Sequence, residues 1–377
     1  MKAGVGKIIC RVKTYRQAQG WSQEELAGRL GLRRQAVHDI ESGRYLPNTA
    51  VALRLAREFG CRVEDLFQDE APAQHLPVHV FEGDPRRPAR LALGRVRGRV
   101  VGVPLEGHGA MPFGFYPADG VLTQPGAAAR LLCTPEHLEQ TVLLLGCDPA
   151  FEILGHHVAL RGTRNRVHCR FASSLKALDG LAQGRAHLAG THLHNTDHNE
   201  SNVALAVQKL GGTGGHVLGF SLLEEGLMVG KGNPRAIRGV IDLARTGIRF
   251  VNRESGAALR VLLDDHLRCA AVPASAVKGY RTLVRSHLEG AYHVLCDAAD
   301  AALGLRAIAE VMELDFVPLS AARCDLVIPG DMLDHPTIRI VLDVLQSAAL
   351  RRELAAIPGY DAGITGNVIA TIPSLER

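Results

Sequence analysis

Apolar positions recur with helical spacing over the first seventy residues and as short strand-like runs from about residue 136 onward, so the chain changes character along its length. In WSQEELAGRLG, Leu26, Ala27 and Leu30 make one buried stripe. Ser22 and Glu25 have the spacing of a capping box, and Gly31 supplies the stop. Tyr15 and Ala18 belong to an earlier amphipathic stretch that Gly20 ends. After a turn of one or two residues, LRRQAVHDIESG repeats the pattern, with Ala36, Val37 and Ile40 inward and Arg33, Arg34, Gln35 and His38 outward. PNTAVALRLAREFG predicts a further helix capped around Asn48, and VEDLF a last turn. Two short helices around a glycine turn, the second with a basic, Gln-bearing outer face, are the arrangement of a helix-turn-helix.

Between residues 71 and 135 the pattern breaks into short β-prone pieces separated by Gly and Pro, which predicts a β-rich connector after a linker at APAQHLP. In RVRGRVVGV alternation puts Val96 and Val100 opposite the arginines, as on a strand whose edge arginines protect. From about 136 to 377, strands alternate with helices of ten to fifteen residues: TVLLLGCD, HCRFA, AHLAGT, two strands within HVLGFSLLEEGLMVG, RFVN, DAALG, DFVPL and CDLVIPG. NPRAIRGVIDLA is expected to be one of the helices. The expected fold is multidomain: an all-α head over 1–70, a connector over 71–135, and an α/β two-lobed body over 136–377 with mostly parallel sheets.

Composition narrows the function classes without choosing among them. Of 377 residues, 46% are hydrophobic and 22% charged, ordinary values for a globular protein. No apolar run reaches a membrane span, and the polar N-terminus lacks a secretory signal, so a cytoplasmic protein is expected. The 8 cysteines show no paired spacing, which favours reduced thiols over a disulfide framework. The net charge of +4 matters through its placement: residues 1–70 carry 12 Lys/Arg against 9 Asp/Glu.

The head resembles the repressor/Cro family of helix-turn-helix regulators, carried by Ser22, Gln23, Leu26, Ala27, Gly31, Ile40, Glu41, Gly43 and Pro47. The resemblance implies that Gln23, Arg33, Arg34, Gln35 and His38 approach the major groove, where Arg pairs with guanine and Gln with adenine. Arg44 and Arg11 are expected to contact phosphate, and a homodimer on double-stranded operator DNA is implied.

Several strand ends in the body lead into small or polar residues: GCDPA at 146–150, ASS at 172–174, GTH at 190–192 and NRESGA at 252–257. In open sheets such junctions lie outside the carboxyl ends of the strands, where ligands bind. Ser173, Ser174 and Ser255 are expected to cap their helices, leaving first-turn N–H groups to converge on a small anion. The body resembles the periplasmic-binding-protein-like domain of bacterial regulators and molybdopterin-related proteins, through GCDPA, AGTHLH, EEGLMVGKGNP, FVNRESG, ADAALG, LDFVPL, CDLVIP and GYDAGITG. That resemblance implies an oxyanion such as molybdate as effector, with Asp148, Ser173, Ser174, Thr191, His192, Asn252, Arg253, Ser255, Gly256, Arg260 and Tyr280 lining its site. The chain departs from the family's hydroxyl-rich turn at Ala257 and Leu259, leaving Arg260 and the backbone.

His192, His194, Asp197 and His198 are ligand types suited to zinc, but their spacing fits no standard metal site, and a polar cleft rim is the expectation. No catalytic motif and no Cys–His pair in a familiar context is visible, so neither enzyme activity nor a cofactor is expected. Two alternatives remain beside the ligand-responsive regulator: a molybdenum-cofactor-related module with an autoregulatory head, or a ligand-free dimerisation scaffold.

Overall fold

The computed structural model describes residues 7–70, 75–81, 89–106, 116–122, 128–162, 164–193 and 201–374. The chain divides into two compact units, Met1–His75 and Leu76–Arg377. Among the described residues no helix is long and apolar enough to cross a membrane.

In the first unit, strand β1 (Lys7–Cys10) is followed by helices α1 (Val12–Ala18), α2 (Gln23–Leu30), α3 (Arg34–Glu41), α4 (Thr49–Phe59) and α5 (Val63–Leu66), then strand β2 (Phe67–Glu70). Local signals set most of these ends. The Ser22 hydroxyl accepts from Glu25 N–H at 3.1 Å while the Glu25 carboxylate accepts from Ser22 N–H at 2.6 Å, completing the capping box. Gly31 closes α2 at φ 65°, a left-handed conformation that glycine adopts without a Cβ clash. Val12, Leu26, Leu30, Val37, Ile40, Leu55 and Leu66 fill the core. The antiparallel β1–β2 pair is not foreseen by the local pattern, because its partners come from opposite ends of the unit.

The second unit begins with β3 (His75–Pro77), β4 (His79–Val80), β5 (Ala89–Val96), β6 (Arg99–Pro104), β7 (Gly120–Leu122) and β8 (Ala128–Leu131), in the sheet order β3-β8-β7-β5-β6-β4. This segment is β-rich but no free-standing connector. Phe81, Ala92, Val96, Val101 and Val103 share one core with Val142, Leu143, Leu144 and Leu145 of the body. Two of its arginines are engaged: Arg97 pairs with Asp331 at 2.7 Å, and Arg95 with Glu139.

Helix α6 (Pro135–Glu139) leads into a ten-stranded sheet built on two lobes. The first lobe holds β9 (Thr141–Gly146), α7 (Phe151–Ala159), β10 (Arg166–Phe171), α8 (Ser174–Ala182), β11 (Leu188–Thr191) and α9 (Ser201–Leu210). Strand β12 (Gly215–Val229) then crosses to the second lobe, made of β13 (Phe250–Arg253), α10 (Ala258–Cys269), β14 (Leu283–Val284), α11 (His287–Leu295), β15 (Ala301–Leu305) and α12 (Arg306–Val311). Strand β16 (Asp315–Pro329) returns to the first lobe, which α13 (Pro336–Leu345), α14 (Ala348–Ala355), β17 (Tyr360–Asp361) and β18 (Val368–Ile372) complete.

Three expectations are corrected here. The two strands read in HVLGFSLLEEGLMVG are the single 15-residue β12, and DFVPL and CDLVIPG are the single 15-residue β16. Glu225, near the middle of β12, is buried within the continuous strand. The sheet is mixed rather than mostly parallel. Within each lobe β9–β10, β9–β11, β13–β14 and β13–β15 pair in parallel, whereas β12 and β16 pair antiparallel to each other along their whole length. That pairing lets two strands join both lobes, with register shifts at Gly219/Ser221 and Glu225/Gly226. The helix expected over NPRAIRGVIDLA is reduced to a 3-10 turn at Val240–Ala244. The Asn233 side chain pins Ile237 by accepting from its N–H at 3.0 Å and donating to its carbonyl at 2.7 Å, which diverts that backbone from a helical ladder.

Candidate functional site

In the head, α3 starts at Arg34 after Arg33, and Arg33, Arg34, Gln35 and His38 are all exposed, as are Arg44 and Arg11. Gln35 donates to Asp39 one turn on, at 3.0 Å, and so presents its face in a fixed rotamer. Gln23 is placed differently. Its amide donates to Glu41 Oε2 at 2.9 Å, while Arg16 grips the same carboxylate at 2.5 and 3.1 Å and donates to the Trp21 carbonyl at 2.7 Å. Burial raises the Glu41 carboxyl, but the hydrogen bonds from Arg16 and Gln23 overcome it and hold the pKa below the ordinary value. The Gln23 side chain therefore ties α2 to α3 in this structure.

In the body, the strand ends and helix starts of the first lobe meet those of the second. Cys147 follows β9, His192 follows β11, Glu225 lies on β12 near its second register shift, and Arg253 and His287 come from the end of β13 and the start of α11. Cys147 Sγ lies 2.6 Å from His192 Nε2, and His192 Nδ1 lies 2.8 Å from Glu225 Oε1. Burial disfavours the His192 cation, but Cys147 and Glu225 outweigh it and raise the His192 pKa well above the usual imidazole value. Thiol, imidazole and carboxylate thus follow one another at hydrogen-bond distance, the order of a nucleophile, a base and its orienting acid. No familiar sequence context announced this Cys–His pair, because the two residues stand 45 positions apart in sequence and meet only in the fold.

Facing them, His287 is 3% exposed and Arg253 2%. Arg253 stacks over Phe171 of the first lobe at 5.5 Å, forks onto Glu254 at 3.0 and 3.1 Å, and approaches His287 Nδ1 at 3.4 Å. Burial, then Arg253 and His192, push the His287 pKa well below its ordinary value, so this ring is neutral. Its Nε2 is buried with no hydrogen-bond partner among the described residues. Cys147, His192 and His287 bring their donor atoms within 4.8 Å of one another.

The remaining expected site residues divide. Ser173 stands at the N-cap of α8 without a side-chain cap, and the Ser174 hydroxyl accepts from His192 N–H at 3.1 Å. Gly256 comes close to Leu175, so the starts of α8 and α10 do approach across the lobes. Ser255 is exposed and does not cap α10, whose N-cap is Ala257. The capping role expected of these serines is corrected, since burial of Ser174 beside the His192 backbone gives its hydroxyl another partner.

Asp148 accepts from Tyr360 at 2.6 Å, Ala150 N–H at 2.8 Å and Ser221 at 3.3 Å, and burial raises its pKa; it braces the turn. Thr191 donates to Asn202, and Asn252 donates to the Tyr280 carbonyl, both inside their own lobes. Arg260 stacks on Tyr280 at 3.9 Å, pairs with Asp264, which also accepts from Tyr280, and donates to the Arg253 carbonyl at 3.2 Å, so Arg260 and Tyr280 form a second-lobe cluster that touches the backbone of Arg253. His194, Asp197 and His198 lie outside the described residues.

Sequence reading missed Cys147, Glu225 and His287. Cys147 sits inside the GCDPA motif, and its place at a strand end was the available signal; His287 follows Ser286, whose hydroxyl caps α11 by accepting from Glu289 N–H at 3.0 Å.

Residues 156–346 match the family described as PBP superfamily domain, and residues 12–66 match the family described as helix-turn-helix. YvgK of Bacillus subtilis, an uncharacterized protein, is 32% identical over 263 residues, covering 67% of this chain and 83% of its own. An uncharacterized HTH-type transcriptional regulator of Archaeoglobus fulgidus is 42% identical over 57 residues, 15% of this chain and 81% of its own. Among solved structures, the sulfate-binding protein SubI of Mycobacterium tuberculosis H37Rv aligns with TM-score 0.44 at 16% identity, covering 59% of this chain and 86% of that one.

Proposed function

The chain belongs to the PBP superfamily and carries a helix-turn-helix head, and from that premise we propose that it is a cytoplasmic one-component transcriptional regulator whose body senses a small oxyanion, molybdate or a relative. On this reading residues 1–70 read a double-stranded operator as one half of a homodimer, residues 71–135 join the head to the sensor, and residues 136–377 close on the effector without catalysing a reaction. The single observation that carries it is Arg253. A guanidinium 2% exposed, placed between two lobes that β12 and β16 join, costs much to bury unless an acceptor completes its pairing. Glu254 occupies one side of the fork, and the arm toward His287 reaches only a 3.4 Å contact, leaving that arm for an oxyanion oxygen.

An effector that favours the closed lobes over the open ones shifts operator affinity by its differential affinity, typically ~5–150-fold. Fluorescence anisotropy of the full chain on a selected operator, with molybdate, tungstate, sulfate and phosphate in turn, tests the reading. One of the four is expected to change operator affinity at least fivefold in wild type and not in Arg253→Gln. No change with any of them would sink the oxyanion assignment. Arg34→Ala with Gln35→Ala should remove sequence preference; unchanged specificity would overturn the groove assignment of α3.

A further inference from the structure

We propose that the same cleft binds a late transition metal ion, zinc(II) or copper(I), through Cys147 Sγ, His192 Nε2 and His287 Nε2. The donors are a thiolate and two imidazoles, which suit zinc and copper, whereas magnesium and calcium take oxygen ligands. All three residues are at most 6% exposed, and their donor atoms fall within 4.8 Å of one another. Zinc–sulfur and zinc–nitrogen bonds of about 2.3 and 2.0 Å at a tetrahedral angle place neighbouring ligand atoms roughly 3.5 Å apart, so donors already within 4.8 Å of one another need only small shifts to reach coordination distance. The ion enters between Cys147 and His192, whose 2.6 Å contact widens to admit it.

Two further observations point to a ligand here. Glu225 accepts at His192 Nδ1, 2.8 Å away, which fixes the proton there and aims the Nε2 lone pair into the cluster; a carboxylate behind a ligating histidine is the usual outer support of a metal site. His287 Nε2 is a buried ring nitrogen with no hydrogen bond among the described residues. Ligation through this atom moves the His287 proton to Nδ1, so the 3.4 Å contact with Arg253 is the one interaction given up. Two ligands come from the first lobe and one from the second, so the ion latches the lobes together. Three protein ligands leave a fourth position for a water or an anion. The inference stands apart from the oxyanion reading, because Arg253 helps an anion and hinders a cation.

Chelator-treated full chain is titrated with zinc against a chromophoric competitor and, separately, loaded with cobalt(II). One equivalent per chain is expected, with a thiolate-to-cobalt charge-transfer band. Cys147→Ser abolishes the band; His192→Gln and His287→Gln weaken zinc binding more than about 100-fold, beyond the ~10–100-fold that Glu225→Gln costs as an outer partner. Arg253→Gln binds zinc at least as tightly as wild type while losing any oxyanion response, which separates failure of one reading from failure of the other. Circular dichroism of His287→Gln checks that it is folded. Wild-type zinc affinity no better than that of folded His287→Gln, a cobalt spectrum without the thiolate band, or zinc binding lost in Arg253→Gln would each overturn the proposal.

Discussion

In the head, Glu41 accepts from Arg16 and Gln23 on both oxygens, and Arg16 directs its other arm to the Trp21 carbonyl. In the cleft, Glu225, His192 and Cys147 are linked in a similar way, yet the facing His287 keeps a buried nitrogen without a partner among the described residues. Both clusters are buried and both join distant elements. The first is complete, and completeness makes it a brace that holds three helices in register. The second ends at an atom that calls for something else. Buried polar groups in folded proteins are nearly always paired, so an unpaired one marks where a ligand belongs more sharply than any charge count does.

Removing one member of the complete cluster gives the largest expected effect. Glu41→Ala leaves Arg16 buried without its partner and should destabilise the head by about 3 kcal/mol, read as loss of its transition in calorimetry. A change below ~1 kcal/mol would mean that the cluster is not the brace described. A second complete group sharpens the contrast through pH. His187 is 0% exposed, its Nδ1 accepts from Leu143 N–H at 2.9 Å, and burial, helped by His335, lowers its pKa from 6.5 to about 4. The unfolded chain therefore takes up the proton first. The contribution is full above pH 6.5, declines as pH falls, and levels off below about 4, with roughly 3 kcal/mol lost. Urea midpoints between pH 7 and pH 4 should follow that decline, and His187→Gln should flatten it; an equal slope in the variant would contradict the assignment. The smallest effect has the opposite sign. His287→Leu removes an unpaired polar atom and should leave the ligand-free protein as stable as before, or more stable by about 1 kcal/mol. A loss beyond ~2 kcal/mol would show that His287 is structural, and the two clusters would then be of one kind.

The two units also differ in how much of them could be read from the chain. The Ser22 capping box, the Gly31 stop and the exposed Arg33–His38 face involve residues within a few positions of one another, and all are present. In the body, the convergence of strand ends was legible from small residues at 146–150, 172–174, 190–192 and 252–257, but the side chains that meet there were not. Ser255, Arg260 and Tyr280 carried the right chemistry at the right turns and yet add no side chain to the cluster: Ser255 faces solvent, Asp264 engages Arg260 and Tyr280, and Arg260 reaches only the Arg253 carbonyl.

What the sequence by itself determined is whatever depends on neighbours three or four positions away: caps, turns, the amphipathic stripe of each helix and the succession of strands. The tertiary structure alone decided that β12 and β16 run unbroken through both lobes, and that Cys147 meets His192 45 positions away and Glu225 lies 33 positions beyond that. The reason is physical. A helix end is stabilised by hydrogen bonds within one turn, which local residue types specify. A cluster of buried donors is stabilised only when a sheet brings separate strand ends together, and no local preference encodes that register.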